Sequence, residues 1–324
     1  MRRLGPWLRE QYGEKVYKLS LSSGCTCPNR DGTLGFGGCS FCSGAGSGDF
    51  AAAFAPIEQQ LEEAKARIRR KTDAKKFIAY FQSFTNTYGD LTRLRSLYEQ
   101  VLDREEIAIL SLGTRPDCLG EDVMAMLRRL KERKPLWIEL GLQTAHDETA
   151  RRFHRGYSRE VFEDAYHRLR AEGITVIVHL IFGLPGESRE DMLASVRYLA
   201  ALDPPPEGVK LQMLQVLRGT ELGARYEREP FPLLSLEEYA DLIAESAAIL
   251  PADTVFHRMT GDGPGPLLLA PDWTRNKKRV LNTINARAAP RSPRLLRIRA
   301  KGPVSRHQLW SVFIVGPVLL SALF

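Results

Sequence analysis

Apolar and polar positions alternate along this chain with two periods, and the switches between them predict its elements. Val16 to Ser22 alternates every second residue and reads as a strand, whereas Pro56 to Arg70 places Ile57, Leu61, Ala64 and Ile68 on one helical face. Phe77 to Phe81 is a short buried strand, followed by a helix from Leu91 to Leu102. Further strands are predicted over Ile107–Ser111, Leu136–Leu140, Ile174–Phe182 and Val209–Leu214. Repeated βα units with right-handed crossovers build a parallel sheet with helices outside it. Six units are two short of a closed barrel. The expected fold is α/β, a partial (βα)6 TIM-like barrel open on one side. Helices over Leu236–Leu250 and Asn276–Asn285 follow, separated by Val255–Asp262 and a Gly- and Pro-rich loop, Gly261 to Pro266. They predict a small C-terminal helical cap, dividing the chain into a core over 1–230, a cap over 231–289 and a remainder over 290–324.

The remainder changes how the charge is read. The 324 residues carry 46 Lys and Arg against 39 Asp and Glu, a formal charge of +7, which invites a nucleic-acid partner. Six of those basic residues (Arg291, Arg294, Arg297, Arg299, Lys301, Arg306) and no acidic ones lie in 290–324, leaving 40 against 39 elsewhere. The body therefore has no bulk electrostatic pull on DNA or RNA. Leu309 to Phe324 is nearly apolar, but it falls short of the roughly 20 residues of a membrane span, and Gly316-Pro317 interrupts it. It is read as a tail outside the fold, and no membrane partner is expected. Residues 1–15 are basic around Trp7 and lack the apolar segment of a secretory leader. With 44% hydrophobic and 26% charged residues, the composition is that of a globular protein, expected in the cytoplasm.

Chemistry concentrates in one loop. Four of the five cysteines lie within residues 24–42, directly after the first strand, and barrel active sites gather at such strand ends. Cys27, Cys39 and Cys42 form a C-x11-C-x2-C pattern with Phe41 before the last thiol, among Gly32, Gly35, Gly37 and Gly38. Glycines permit the turns that bring three sulfurs around one inorganic centre. A four-ligand zinc site that recruits Cys25 is the rival, although a C-x-C step does not match paired C-x-x-C zinc sites. Disulfides need an oxidising compartment, and nothing here directs the chain to one. Cys25 is expected to pack at the strand end and Cys118 to be structural.

The cysteine pattern following Cys-Pro-Asn-Arg-Asp-Gly resembles the radical S-adenosylmethionine (SAM) enzymes, in particular the YhcC-type subgroup, and is similar to the radical SAM core of the elongator acetyltransferase subunit. Ala270 to Ile284 is similar to that family's C-terminal signature, so the resemblance runs from about Tyr12 to Ile284. It implies that Cys27, Cys39 and Cys42 ligate a [4Fe–4S] cluster whose fourth iron binds SAM. It further implies that an electron donor such as flavodoxin or ferredoxin reduces the cluster, cleaving SAM to a 5′-deoxyadenosyl radical that takes a hydrogen atom from substrate. The SAM contacts it implies are Phe41 and Leu184 towards adenine, and Asn86 and Thr87 where most members carry Gly-Gly-Glu. Glu139 and Gln143 would meet the ribose or amino group, and Arg155 the carboxylate.

Each of these residues also has a plainer role. Thr85–Thr87 suits a polar turn, Gly183–Gly186 suits a βα turn, and Glu139 inside an apolar strand must find a partner, Arg115 or His179. Arg115, Asp117, His154, Tyr157, His179 and His257 are further polar candidates, among which the sequence selects no substrate acid or base. Two functions follow. One is a radical SAM enzyme acting on a small molecule or RNA, with tRNA modification as one form. The other is a non-catalytic zinc or iron–sulfur scaffold, or an RNA-associated module. No second cysteine cluster follows residue 118, which argues against sulfur insertion from an auxiliary cluster.

Overall fold

The six strands expected from hydropathy are present, and two very short ones extend them. A computed structural model describes residues 1–288 except 47, 71 and 262; the tail over 290–324 lies outside the described residues. In chain order the elements begin with β1 (Arg2–Arg3), α1 (Leu4–Tyr12), β2 (Val16–Leu21), α2 (Ile57–Arg69), β3 (Lys76–Phe81) and α3 (Leu91–Leu102). Next come β4 (Ile107–Thr114), α4 (Glu121–Arg133), β5 (Leu136–Gln143), α5 (Asp147–Arg152), α6 (Arg159–Ala171), β6 (Thr175–Phe182) and α7 (Arg189–Ala200). The last are β7 (Gly208–Met213), β8 (Val216–Leu217), α8 (Glu221–Arg228), α9 (Leu236–Ile249), β9 (Val255–Arg258), β10 (Leu268–Ala270) and α10 (Lys277–Ala288).

Eight strands form one parallel sheet in the order β1-β9-β7-β6-β5-β4-β3-β2, curled into a half-barrel whose edge strands β1 and β2 do not pair. Sequence periodicity missed β1 and β9 because two and four residues are too few to show a period. Yet β9 pairs with β7, so the segment expected to be only a helical cap also supplies a strand to the main sheet. Met1–Ala289 forms one compact unit. The crossover helices start at side-chain caps: Asp90, Ser158 and Thr220 each accept a backbone N–H, and Ser188 and Ser235 complete capping boxes with Asp191 and Glu238. No helix of the described residues is long and apolar enough to cross a membrane.

Alternation sorts each strand into two faces. Outward residues such as Leu19, Phe81, Leu110, Ile138, Val178 and Leu211 are buried under the helices in the main core. Inward, the base of the half-barrel is apolar, built from Val16, Ile78, Ile109, Trp137 and Ile177 and plugged by Leu8 and Trp7 of α1. The Trp7 and Trp137 rings lie 5.8 Å apart. Two residues further along the same strands the inward positions turn polar: Lys18, Tyr80, Ser111, Glu139, His179 and, on β7, Lys210. The half-barrel is thus closed below by apolar packing and lined above it by charge.

Leu8 is 3% exposed at the centre of the plug. Leu8→Ala is expected to cost about 2–5 kcal/mol, read as a lower urea midpoint with an unchanged slope. An unaltered midpoint would show that α1 is not part of the core.

Candidate active site

The long connection from β2 to α2 carries the cysteines, and its path follows from two side chains. Asn29 donates from Nδ2 to the carbonyls of His154 (2.6 Å) and Arg155 (3.2 Å) and lies 3.6 Å from Cys39 Sγ. Arg30 donates to the carbonyl oxygens of Ser43 (2.5 Å) and Cys42 (3.3 Å), closing the Cys39–Cys42 turn. The backbone adds Ser40 N–H to the Phe153 carbonyl and Leu222 N–H to the Ser40 carbonyl. The loop is therefore latched to the segment after α5 and to α8. At Gly156, φ is +85° and an added Cβ would stand 2.7 Å from Asn29 Oδ1, so only glycine lets the two segments meet.

Cys27, Cys39 and Cys42 line one cleft of about 250 Å3 at the C-terminal ends of the strands. A hydrogen bond with Cys42, then burial and the nearness of Cys27, push the Cys39 thiol well above its usual value. Among the described residues no three His, Cys, Asp or Glu side chains converge on one metal ion. Phe41 lines the cleft and packs against Phe153 at 5.2 Å. Cys25 is buried near Arg93 Nη2, 3.8 Å away, and burial raises its thiol. Cys118 does not line the cleft, and burial raises its thiol to about 12.

Of the other expected contacts, Glu139, Gln143 and Arg155 line the cleft. Gln143 has φ +63°, a sparsely populated conformation for a residue with a side chain. Tyr157 holds it there, its hydroxyl donating to Gln143 Oε1 (3.1 Å) and the Gly141 carbonyl (2.9 Å). With the oxygen engaged, the Gln143 amide keeps its N–H donors in a side chain that lines the cleft. An added Cβ at Gly141 would stand 2.5 Å from Gln143 Nε2, so this glycine makes room for the amide. Arg155 is 1% exposed, and its guanidinium is already committed. It donates to the carbonyls of Leu142 (2.7 Å), Thr144 (2.8 Å) and Tyr157 (2.9 Å) and to Asp147 Oδ1 (2.7 Å). It staples the end of β5 rather than offering a fork to a carboxylate. Arg115 forms that fork with Asp117, at 2.9 and 2.7 Å, and lies over the Tyr157 ring.

Three expected contacts lie elsewhere. Asn86 is fully buried: Oδ1 accepts from Ser23 (2.6 Å), and Nδ2 donates to the Phe81 (3.0 Å) and Gly113 (2.8 Å) carbonyls. Its side chain braces β3 against β4 and has nothing left for a ligand. Thr87 bonds Thr114 and the Cys118 carbonyl, also away from the cleft. Leu184 packs with Ala150, Phe153, Leu214 and Leu222, behind Phe41. Thr85, the first residue of that same turn, lines the cleft.

Glu139 meets His179, one of its two expected partners, at 3.1 Å; Arg115, the other, is with Asp117. Its main partners are Lys18, at 2.7 Å, and Lys210, with Ser111 Oγ at 3.2 Å. Burial opposes its charge, yet Lys18 and Lys210 hold the carboxyl well below the usual range. Sequence reasoning missed both lysines, although each is a cation at an inward position of a largely apolar strand. His257 Nδ1 is buried without a partner, its ring against Trp137 at 4.9 Å.

A thiol triad at the open end of a parallel half-barrel narrows the comparison, and the sequence matches the radical SAM superfamily over residues 24–199 and its C-terminal domain over 206–289. The chain belongs to the radical SAM superfamily. Among its relatives, the uncharacterized protein YtqA of Bacillus subtilis is 43% identical over 279 residues, covering 86% of each chain. Protein YhcC of Escherichia coli is 36% identical over 271 residues, covering 83% of this chain and 86% of its own. The fold is similar to that of the archaeal Methanocaldococcus infernus Elp3 lacking its N-terminus, with a TM-score of 0.63 at 18% identity. That likeness covers 85% of this chain, which spans 64% of the Elp3 structure. Radical SAM membership implies an enzyme that uses a [4Fe–4S] cluster and SAM.

Asn86→Ala removes donors from two buried carbonyls and is expected to cost about 1–3 kcal/mol of stability, read by urea unfolding. A variant of full stability with weakened SAM binding would return Asn86 to the ligand. Burial and the Lys210 charge push the His179 imidazole down to about 4. Between about pH 6.5 and 4 the unfolded chain binds a proton there that the native state refuses, so this group lowers stability as pH falls, by about 3 kcal/mol over the window. His179→Gln should flatten that part of the slope, measured as unfolding midpoints at pH 4.5 and 7.

Proposed function

We propose that this protein is a radical SAM enzyme whose Cys27, Cys39 and Cys42 hold the [4Fe–4S] cluster, with SAM lying in the cleft beneath them. The observation that carries the reading is the latched loop. Asn29, Arg30 and Gly156 hold the loop so that three cysteine side chains line one cleft. The donor set fits the group: a cubane takes one thiolate on each of three irons, so the sulfurs need not meet at a single point. Held by Cys27, Cys39 and Cys42 and reduced by a donor such as flavodoxin or ferredoxin, a cluster would supply the one-electron chemistry for cleaving SAM and starting hydrogen-atom abstraction.

The chain's own residues bind, orient and shield. Phe41, backed by Phe153 and Leu184, covers one side of the cysteine turn and keeps water from it. Asn29 Nδ2 lies close enough to Cys39 Sγ to donate to a thiolate there, which stabilises the charged form. Gln143, locked by Tyr157, offers N–H donors to a hydroxyl or carbonyl oxygen of the nucleoside. Arg155 keeps the end of β5 rigid beneath them.

Anaerobic reconstitution of the full-length protein with iron and sulfide is expected to give a brown protein with about four irons per chain. Its spectrum should change on adding SAM, and reduction should yield 5′-deoxyadenosine. Replacing Cys27, Cys39 and Cys42 by Ala should abolish iron, colour and product together. Full iron content in that triple variant, or a colourless protein holding one tight zinc, would overturn the reading.

A further inference from the structure

The cleft continues below the thiols. Past Gly113 and Gly141 it reaches Tyr80, Glu139 and His179, the polar layer above the α1 plug. Barrel interiors are ordinarily filled at this depth by branched apolar side chains. Here Glu139 takes hydrogen bonds from Lys18, Ser111, His179 and Lys210. His179 can donate to that carboxylate only from a protonated Nε2. A neutral imidazole protonated at Nε2 presents Nδ1 as an acceptor. The ring stays neutral near pH 7, because burial and Lys210 push it down to about 4. No described group bonds Nδ1, and the side chain is 22% exposed where it lines the cleft.

A second unused group stands on the next strand. Lys210 of β7 is the register partner of His179, and Gln212 follows it on the same face. The Gln212 amide lines the cleft and makes no hydrogen bond to another described residue. Lys18, Ser111, Lys210 and Tyr80 of the Glu139 network each bond a described partner, which leaves the acceptor nitrogen and the amide as groups that a ligand would complete.

We propose that this floor is the substrate subsite. His179 Nδ1 accepts a hydrogen bond from a substrate N–H or O–H, and the Gln212 amide donates to a carbonyl-type oxygen beside it. The class selected carries donor and acceptor on one edge, as a lactam, an amide or a heterocyclic base does. Glu139 is the positioning residue, since it sets the ring's tautomer and acts through His179. Calling the ligand a substrate rests on the radical SAM reading, whereas the geometry of the floor does not.

The test uses the full-length protein without added SAM. Diethyl pyrocarbonate, followed by peptide mass spectrometry, reads which imidazoles carry an open, unprotonated nitrogen. His179 is expected to react near pH 7 alongside the surface residues His154 and His167. The probe 2-pyrrolidone should slow His179 several-fold without slowing His154, while N-methyl-2-pyrrolidone, which lacks the donor, should not. Nitrogen-15 spectra of histidine-labelled protein, assigned with H179Q, should show Nε2 protonated and Nδ1 bare. An inert His179 beside reactive surface histidines, equal protection or none by the two lactams, or the opposite tautomer would each overturn the proposal. None of these readouts needs iron or SAM cleavage, so the cysteine variants decide the cluster reading separately.

Discussion

A single carboxylate governs the interior of this half-barrel. An ionised Glu139 with no exposed surface would be prohibitively costly alone, because removing a charge from water outweighs most single contacts. It is tolerable because β2, β6 and β7 each send a cation or an imidazole to it and β4 sends a hydroxyl. Five strands are thereby bound to one point, in an arrangement that leaves no slack in register: a shift of one residue on any of them would turn its polar partner outwards. The apolar plug below and the open cleft above are both consequences of where that charged layer sits.

Much of this could be read from the sequence, for reasons that differ by level. Strands β2 to β7 announced themselves because inward and outward residues alternate and the outward ones are uniformly apolar. The cysteine loop was legible because thiols among glycines after a strand have few alternative uses. Glu139 was legible as a residue that needed partners, though not which ones: Lys18 and Lys210 are 121 and 71 positions away, and only the curvature of the sheet brings them in. Asn86 and Arg155 were legible as important polar residues but not as braces. Whether an amide or guanidinium faces a cavity or its own backbone depends on turns that local pattern does not specify.

The cysteine loop shows a division of labour between neighbours in sequence. The thiols occupy the cleft, while Asn29 and Arg30 hold backbone carbonyls, Arg30 from the cleft wall itself. A long loop of this kind has little regular structure of its own, so its order must be borrowed from the elements it touches. The segment after α5 lends it, and the same segment supplies Tyr157 to fix Gln143. One short stretch, His154 to Tyr157, therefore sets both the cysteine loop and the amide on the facing strand.

Among the described residues the strand β1 pairs with β9 alone, with Arg2 opposite Val255. A growing polypeptide would thus extrude its first strand long before the partner for it exists, and the sheet's edge cannot be finished until nearly the whole body has been synthesised. Such a pairing, separated by some 250 positions, carries a heavy loop-closure penalty and forms late. Until then α1 would rest only on the apolar residues of β2 to β6 that it plugs, and the flank of the half-barrel that β9 completes would stay open to association with other chains.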